Sequence, residues 1–115
     1  MRRFVLISLL LLPVLAPGAG ANQPSVDKVN ALLMQSERKL TTSEGLPRRP
    51  WYRHQIYAAG YYTGYGAKTL PGVREAIEQK NWKQADAEIG VLGRVLQNEA
   101  TLIDSAAAEL KTAVR

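Results

Sequence analysis

The sequence predicts an all-α fold: a small helical bundle of three main helices, the last one long, with a long aromatic and basic loop between the first and second. Three observations carry this. Apolar residues recur at three- and four-residue steps from Trp82 to Leu110, the period of one helix face. A shorter stripe of similar period runs from Val26 to Leu40. Between them, the stretch from Gly45 to Gly72 holds all five tyrosines, the single histidine His54 and no acidic residue.

In chain order, residues 1–21 read as a secretory signal peptide. Arg2 and Arg3 form a basic start, Phe4 to Leu15 is an apolar run, and Ala19-Gly20-Ala21 supplies small residues for cleavage before Asn22. An uncleaved anchor fits less well, because a run of about twelve residues is too short to span a bilayer as a helix. The expected product is exported, periplasmic or secreted, with no membrane span after cleavage. Residues 22–115 then form one small domain. The chain has no cysteine, so no disulfide compensates for its size. Helix packing, a partner chain or both must stabilise it.

The first helix is expected over SVDKVNALLMQSERKL, from Ser25 to Leu40, with Val26, Val29, Leu33 and Leu40 on one face and Leu32 broadening it. Gly45 and Pro47 follow it and stop helical continuation. The loop comes next. Short strands within QIYAAGYYTGY are conceivable, but the alternation is poor and glycine interrupts it. A second helix starts at Pro71, a favoured first-turn residue, and runs to about Lys80. Asn81 is a natural N-cap, with Gln84 three residues on in capping-box spacing.

The last helix carries Trp82, Ala85, Ile89, Leu92, Leu96, Ile103, Ala106 and Leu110 on a 3–4 repeat, with Val95 and Leu102 widening it. That is a heptad seam on a helix of about 50 Å at 1.5 Å per residue. Two readings stay open: an ordinary three-helix core, or a core plus a surface that meets another chain. Glu99 interrupts the seam. It is either solvated at the stripe edge or paired, with Arg38 or Arg53 as candidates.

Charge is local. Without Arg2 and Arg3, 13 basic residues remain against 10 acidic ones, and the loop alone contributes Arg48, Arg49, Arg53 and Lys68. A diffuse polybasic surface for nucleic acid is therefore not expected. Arg48, Arg49, Arg53, His54 and Lys68, interleaved with tyrosine, are candidates for anion binding. The plainer reading is that the aromatics pack the loop down and the arginines solvate it. One histidine, no cysteine, and Asp27, Asp86 and Asp104 placed singly with no histidine three or four residues on argue against a self-contained zinc site. Ser25, Ser36, Ser43 and Ser105 lie in helix or cap contexts rather than a nucleophile elbow. GYYTGYG has neither the spacing nor the context of a phosphate or dinucleotide loop. No cofactor and no catalytic constellation are expected.

The ordered series Asn30-Ala31-Leu32-Leu33, Glu37-Arg38, Gly45-Leu46-Pro47, Arg49-Pro50-Trp51-Tyr52-Arg53-His54, Ile56-Tyr57-Ala58 and Leu70-Pro71-Gly72, then Trp82 and Ile89, strongly resembles one family. That family is the transferrin receptor-like dimerisation domain, the C-terminal helical domain of glutamate carboxypeptidase II and the transferrin receptor. The resemblance spans about residues 30–110. It implies a helical bundle that mediates dimerisation and normally follows a zinc peptidase domain, to which any metal belongs. It further implies that the loop packs on the peptidase and helps close its substrate pocket, where a lysine–tyrosine pair holds the substrate carboxylate. The matching dipeptide here is Gly64-Tyr65. Tyr65 is the substrate-binding candidate, and Lys68 is a cation nearby in sequence.

The expected function is thus a non-enzymatic exported assembly module, a homodimer or a heterodimer with a zinc peptidase-like chain. Trp82, Ile89, Leu92, Leu96, Ile103 and Leu110 are its core or interface residues. The alternatives are an accessory substrate-pocket subunit of a separately encoded zinc peptidase, an exported binder of anionic ligands, or a remnant of a larger peptidase.

Overall fold

A computed structural model describes residues 23–114; the expected signal segment lies outside the described residues. The chain runs α1 (Gln23–Leu33), α2 (Ser36–Lys39), β1 (Tyr57–Ala59), β2 (Ala67–Thr69), α3 (Pro71–Glu78) and α4 (Trp82–Ala113). Helix α4 is the spine, and α1, α2 and α3 all pack against it. The fold is predominantly helical, as the apolar periodicity predicts.

Two elements depart from expectation. The first helix is broken: at Gln35 the backbone bond shifts to an i−3 partner, Gln35 N–H to Leu32 C=O at 2.9 Å. Chain direction resets there, and the Ser36 hydroxyl donates to the Glu99 carboxylate on α4. No glycine or proline marks this break; a long-range contact accompanies it. The loop also contains a small antiparallel hairpin, pairing Tyr57 with Thr69, Ala58 with Lys68 and Ala59 with Ala67. The one buried residue of its strands, Ala58, is too small to announce a strand by alternation.

The helix ends follow local rules. Pro71 takes the first turn of α3. That helix closes with Asn81 N–H on Ala76 C=O at 2.8 Å and Lys80 N–H on Ile77 C=O at 2.9 Å. Lys80 sits between them at φ 56°. This is a Schellman closure with lysine where glycine is favoured. Asn81 then caps α4: its side-chain oxygen accepts from Gln84 N–H at 3.2 Å, and its amide donates to Gln84 Oε1 at 3.0 Å.

The core is thin. Its buried apolar residues are Val29, Leu46, Ala58, Ala76, Ala85, Val95, Leu102, Ala106 and Ala113. Alanine makes up most of that set, and burying it gains little apolar area. Leu46 anchors the loop. Gly45, at φ 69°, lets the backbone turn beneath Pro50, whose carbonyl oxygen would lie 2.2 Å from any Cβ at Gly45. Segment 40–42 then pairs back on 53–55, through Gln55 N–H to Leu40 C=O at 2.9 Å and Thr42 N–H to Arg53 C=O at 3.0 Å.

Candidate assembly surface and aromatic loop

The heptad seam separates into rows with different fates. Ala85, Val95, Leu102, Ala106 and Ala113 face inward and are buried, with Leu92 half-buried among them. Val95 and Leu102 lie at the centre of this inner face rather than at its edge. Trp82, Ile89, Leu96, Ile103 and Leu110 form a second row, 62, 54, 48, 52 and 50% exposed. They fall one per heptad, so they stack along one line of the helix. This row is the part of the predicted seam that the described residues leave uncovered. Leu33 at the end of α1, Met34 in the turn after it and Ile77 on α3 add exposed apolar surface.

Glu99 belongs to the inner face. One carboxylate oxygen accepts from Ser36, and the other is buried without a hydrogen-bond partner. Among the described residues neither candidate arginine, Arg38 nor Arg53, pairs with it: a hydroxyl from α2 holds this acid.

The loop's basic residues do not gather into one anion site. Arg49 is buried and forms two bonds to Glu75 of α3, Nη1 to Oε2 at 2.8 Å and Nη2 to Oε1 at 3.0 Å. Tyr61 N–H donates to the same carboxylate at 2.8 Å. Burial alone would raise the Glu75 carboxyl, but the Arg49 guanidinium, the Tyr61 amide and the field of Lys68 together hold it below the ordinary carboxylate value. Lys68 pairs with Glu78, and its bond lowers that carboxyl in turn. His54 Nε2 lies 3.0 Å from Glu37 Oε2. Its Nδ1 accepts from Ile56 N–H at 3.2 Å and Tyr57 N–H at 3.3 Å. That pattern places the ring proton on Nε2, directed at the carboxylate. Both nitrogens are engaged, and the ring rests on Tyr57 with centroids 4.1 Å apart.

Three of the five anion candidates therefore already hold carboxylates of this chain. Arg48 and Arg53 make no ion pair among the described residues. Arg48, at φ 65°, lies over the Tyr61 ring at 4.1 Å and donates to Tyr62 Oη at 3.1 Å. Tyr61 and Tyr62 meet edge to face at 4.8 Å. Beside them, Trp51, Tyr52, Tyr61 and Tyr65 line a shallow pocket of about 380 Å³. Tyr65 stands fully exposed next to Gly64, which takes φ 59° with nothing near its Cβ position. Glu75, the residue that organises the loop from beneath, was not among the sequence candidates. Its only signal was its place on an otherwise ordinary helix face.

A cleft of about 640 Å³ lies on another side of α4, between Thr41–Gly45 and Glu88, Arg94 and Asn98. Glu88 reaches the first turn of α3, where its Oε2 would lie 2.5 Å from a Cβ at Gly72. Burial raises its carboxyl above the ordinary value. Among the described residues no cluster of three acidic or histidine side chains could hold a metal, and no helix is long and apolar enough to cross a membrane.

These features define a class: a small helical module built on one long helix, with an apolar row left bare. Residues 14–104 match the transferrin receptor-like dimerisation domain, and the chain belongs to that family. It is 34% identical over 85 residues to an Arabidopsis thaliana protein described as "Probable glutamate carboxypeptidase LAMP1", covering 68% of this chain and 12% of that protein. It is 39% identical over 57 residues to an Arthroderma benhamiae protein described as "Probable glutamate carboxypeptidase", covering 50% of this chain and 8% of that one. The chain thus spans about a tenth of the length of these relatives.

Proposed function

We propose that this chain is a non-enzymatic assembly module, exported by its N-terminal segment, that associates through the exposed row of α4. The observation that carries this reading is the row itself: Trp82, Ile89, Leu96, Ile103 and Leu110 each about half exposed on a 32-residue helix. Contiguous apolar surface of this kind marks interaction sites. Membership of a family described by dimerisation supports the same reading. Light scattering on the purified chain tests it. A mass of twice the monomer at about 100 µM is expected, and a clean monomer at that concentration would overturn it.

A second reading has its own observation. Trp51, Tyr52, Tyr62 and Tyr65 are exposed together on the loop, a surface suited to docking on a larger chain. Because the chain resembles part of glutamate carboxypeptidase-like proteins, that chain would be a zinc peptidase, with Tyr65 at its pocket. This reading predicts that adding the chain raises the activity of a peptidase lacking such a domain; unchanged kinetics at saturation would remove it. The engagement of Arg49, His54 and Lys68 by internal carboxylates leaves little support for an independent anion binder.

A further inference from the structure

We propose that the cleft between residues 41–45 and α4 binds a small aliphatic ammonium compound, with the ammonium on Glu88 and the carbon chain over Val91 and Val95. The cleft holds about 640 Å³, within the size range of small-molecule sites. Glu88, Val91, Val95 and Asn98 line it and recur at three- and four-residue steps, so they share one face of α4. Val95 is buried, and Glu88 and Val91 are half-buried. From Glu88 to Val95 this face runs about 10 Å along the helix, room for a short carbon chain. Thr41, Thr42 and Ser43 face it from the other wall. No residue of the exposed α4 row lines the cleft, so this site is independent of assembly through that row.

Charge decides the class of ligand. The charged side chains lining the cleft are Glu44, Glu88 and Arg94, two acids against one base. Arg94 and Glu44 answer each other. The field of Arg94 adds to the Glu44 backbone amide and the Ser43 hydroxyl in holding the Glu44 carboxyl below its ordinary value. The Arg94 guanidinium lies back along α4, with Nη1 3.9 Å from a Cβ placed at Gly90. Glu88 has no such answer. Among the described residues no N–H, hydroxyl or cation holds its carboxylate, and burial alone acts on it. The amides at the start of α3 do not bond it either, although its Oε2 lies beside Gly72. A charge withdrawn from water destabilises unless it is paired, and an ammonium from outside supplies the pair. It brings three N–H donors. Glu88 accepts one, and the wall hydroxyls offer neutral acceptors for the others. An anionic ligand would face two carboxylates with only Arg94 in its favour. A purely apolar one would desolvate Glu88 further and leave it unpaired.

The test is an NMR titration of the full chain with n-butylamine, an ammonium at pH 7, in physiological salt to screen loose ion pairing. Saturable shifts of the amides at 41–45 and 88–98 are expected, with a Kd in the millimolar range for so small a ligand. n-Butanol has the same chain without the charge, and tetramethylammonium has the charge without an N–H. Each is expected to bind more weakly by about tenfold or more. Glu88→Gln keeps the shape and removes the charge, and is expected to weaken n-butylamine by about the same factor. Asp86→Asn changes an exposed acid of α4 outside the cleft and is expected to leave binding unchanged. Circular dichroism checks that both variants keep the fold. No saturable shift with n-butylamine, or undiminished binding by Glu88→Gln, would overturn the proposal. Equal binding of n-butanol would reduce the cleft to an apolar surface, and equal binding of tetramethylammonium would reduce it to a field; either overturns the proposal. So would an equal loss in Asp86→Asn, which would make the effect one of general surface charge.

Discussion

Arg49 and Glu75 show how a single buried ion pair fixes the loop. The loop's cations look like a ligand site because no acid accompanies them in sequence. The carboxylates that engage three of them, His54, Arg49 and Lys68, lie on helices: Glu37, Glu75 and Glu78. Linear charge patterning could not reveal this pairing, since Arg49 and Glu75 are 26 residues apart. Glu75→Ala would leave the Arg49 guanidinium buried and unpaired, and is expected to cost about 3 kcal/mol in urea denaturation; a loss near zero would mean that the pair is not organising the loop. Two carboxyls give opposite pH signs. Glu75 is held below its ordinary value of 4.5, so its stabilisation is present above that pH and is lost as pH falls through the lower folded-state value. Glu88 is raised above 4.5, so its ionisation destabilises the fold as pH rises through the raised value. Glu88→Gln is therefore expected to be more stable than the parent chain at pH 7, with the difference vanishing below about pH 4.5; equal denaturation midpoints at pH 7 would contradict this.

Among the elements, α4 and α3 were legible from sequence almost to the residue. Pro71 opens a helix by its fixed φ, and Asn81 caps one by accepting from Gln84 N–H. The break between α1 and α2 and the hairpin were not legible. The break coincides with the Ser36–Glu99 contact across 63 positions, and the three-residue strands bury only Ala58. The α4 seam was legible as a repeat but not as two faces: α1, α2 and α3 pack on α4 and Val95 and Leu102 are buried, which spacing on one helix cannot say. Tyr65 and Gly64 could be placed by resemblance alone, since nothing in the surrounding periodicity distinguishes them. Lys80 gives the clearest test at this scale. It occupies the left-handed position of the α3 closure, where a non-glycine residue costs about 1–2 kcal/mol. Lys80→Gly is expected to stabilise the domain by about 0.5–1 kcal/mol after the added freedom of the unfolded chain is subtracted. A destabilisation would show that the lysine side chain contributes more than its backbone strain costs.

For the whole molecule, the balance of buried and bare apolar residues decides the account. The core rests largely on alanine, while Trp82, Ile89, Leu96, Ile103, Leu110 and most of the loop aromatics remain exposed. A domain this small has little surplus stability. Covering the α4 row by a partner would stabilise it by mass action. The thermal midpoint is accordingly expected to rise with protein concentration, and a midpoint independent of concentration would point to a monomer that is stable alone. The most direct test is light scattering of the parent chain beside Leu96→Glu, which puts a charge at the centre of the bare row without entering the core. A dimeric parent and a monomeric, fully helical Leu96→Glu variant at about 100 µM are predicted. A monomeric parent, or a variant that dimerises as well as the parent, would contradict the claim that this row holds two chains together.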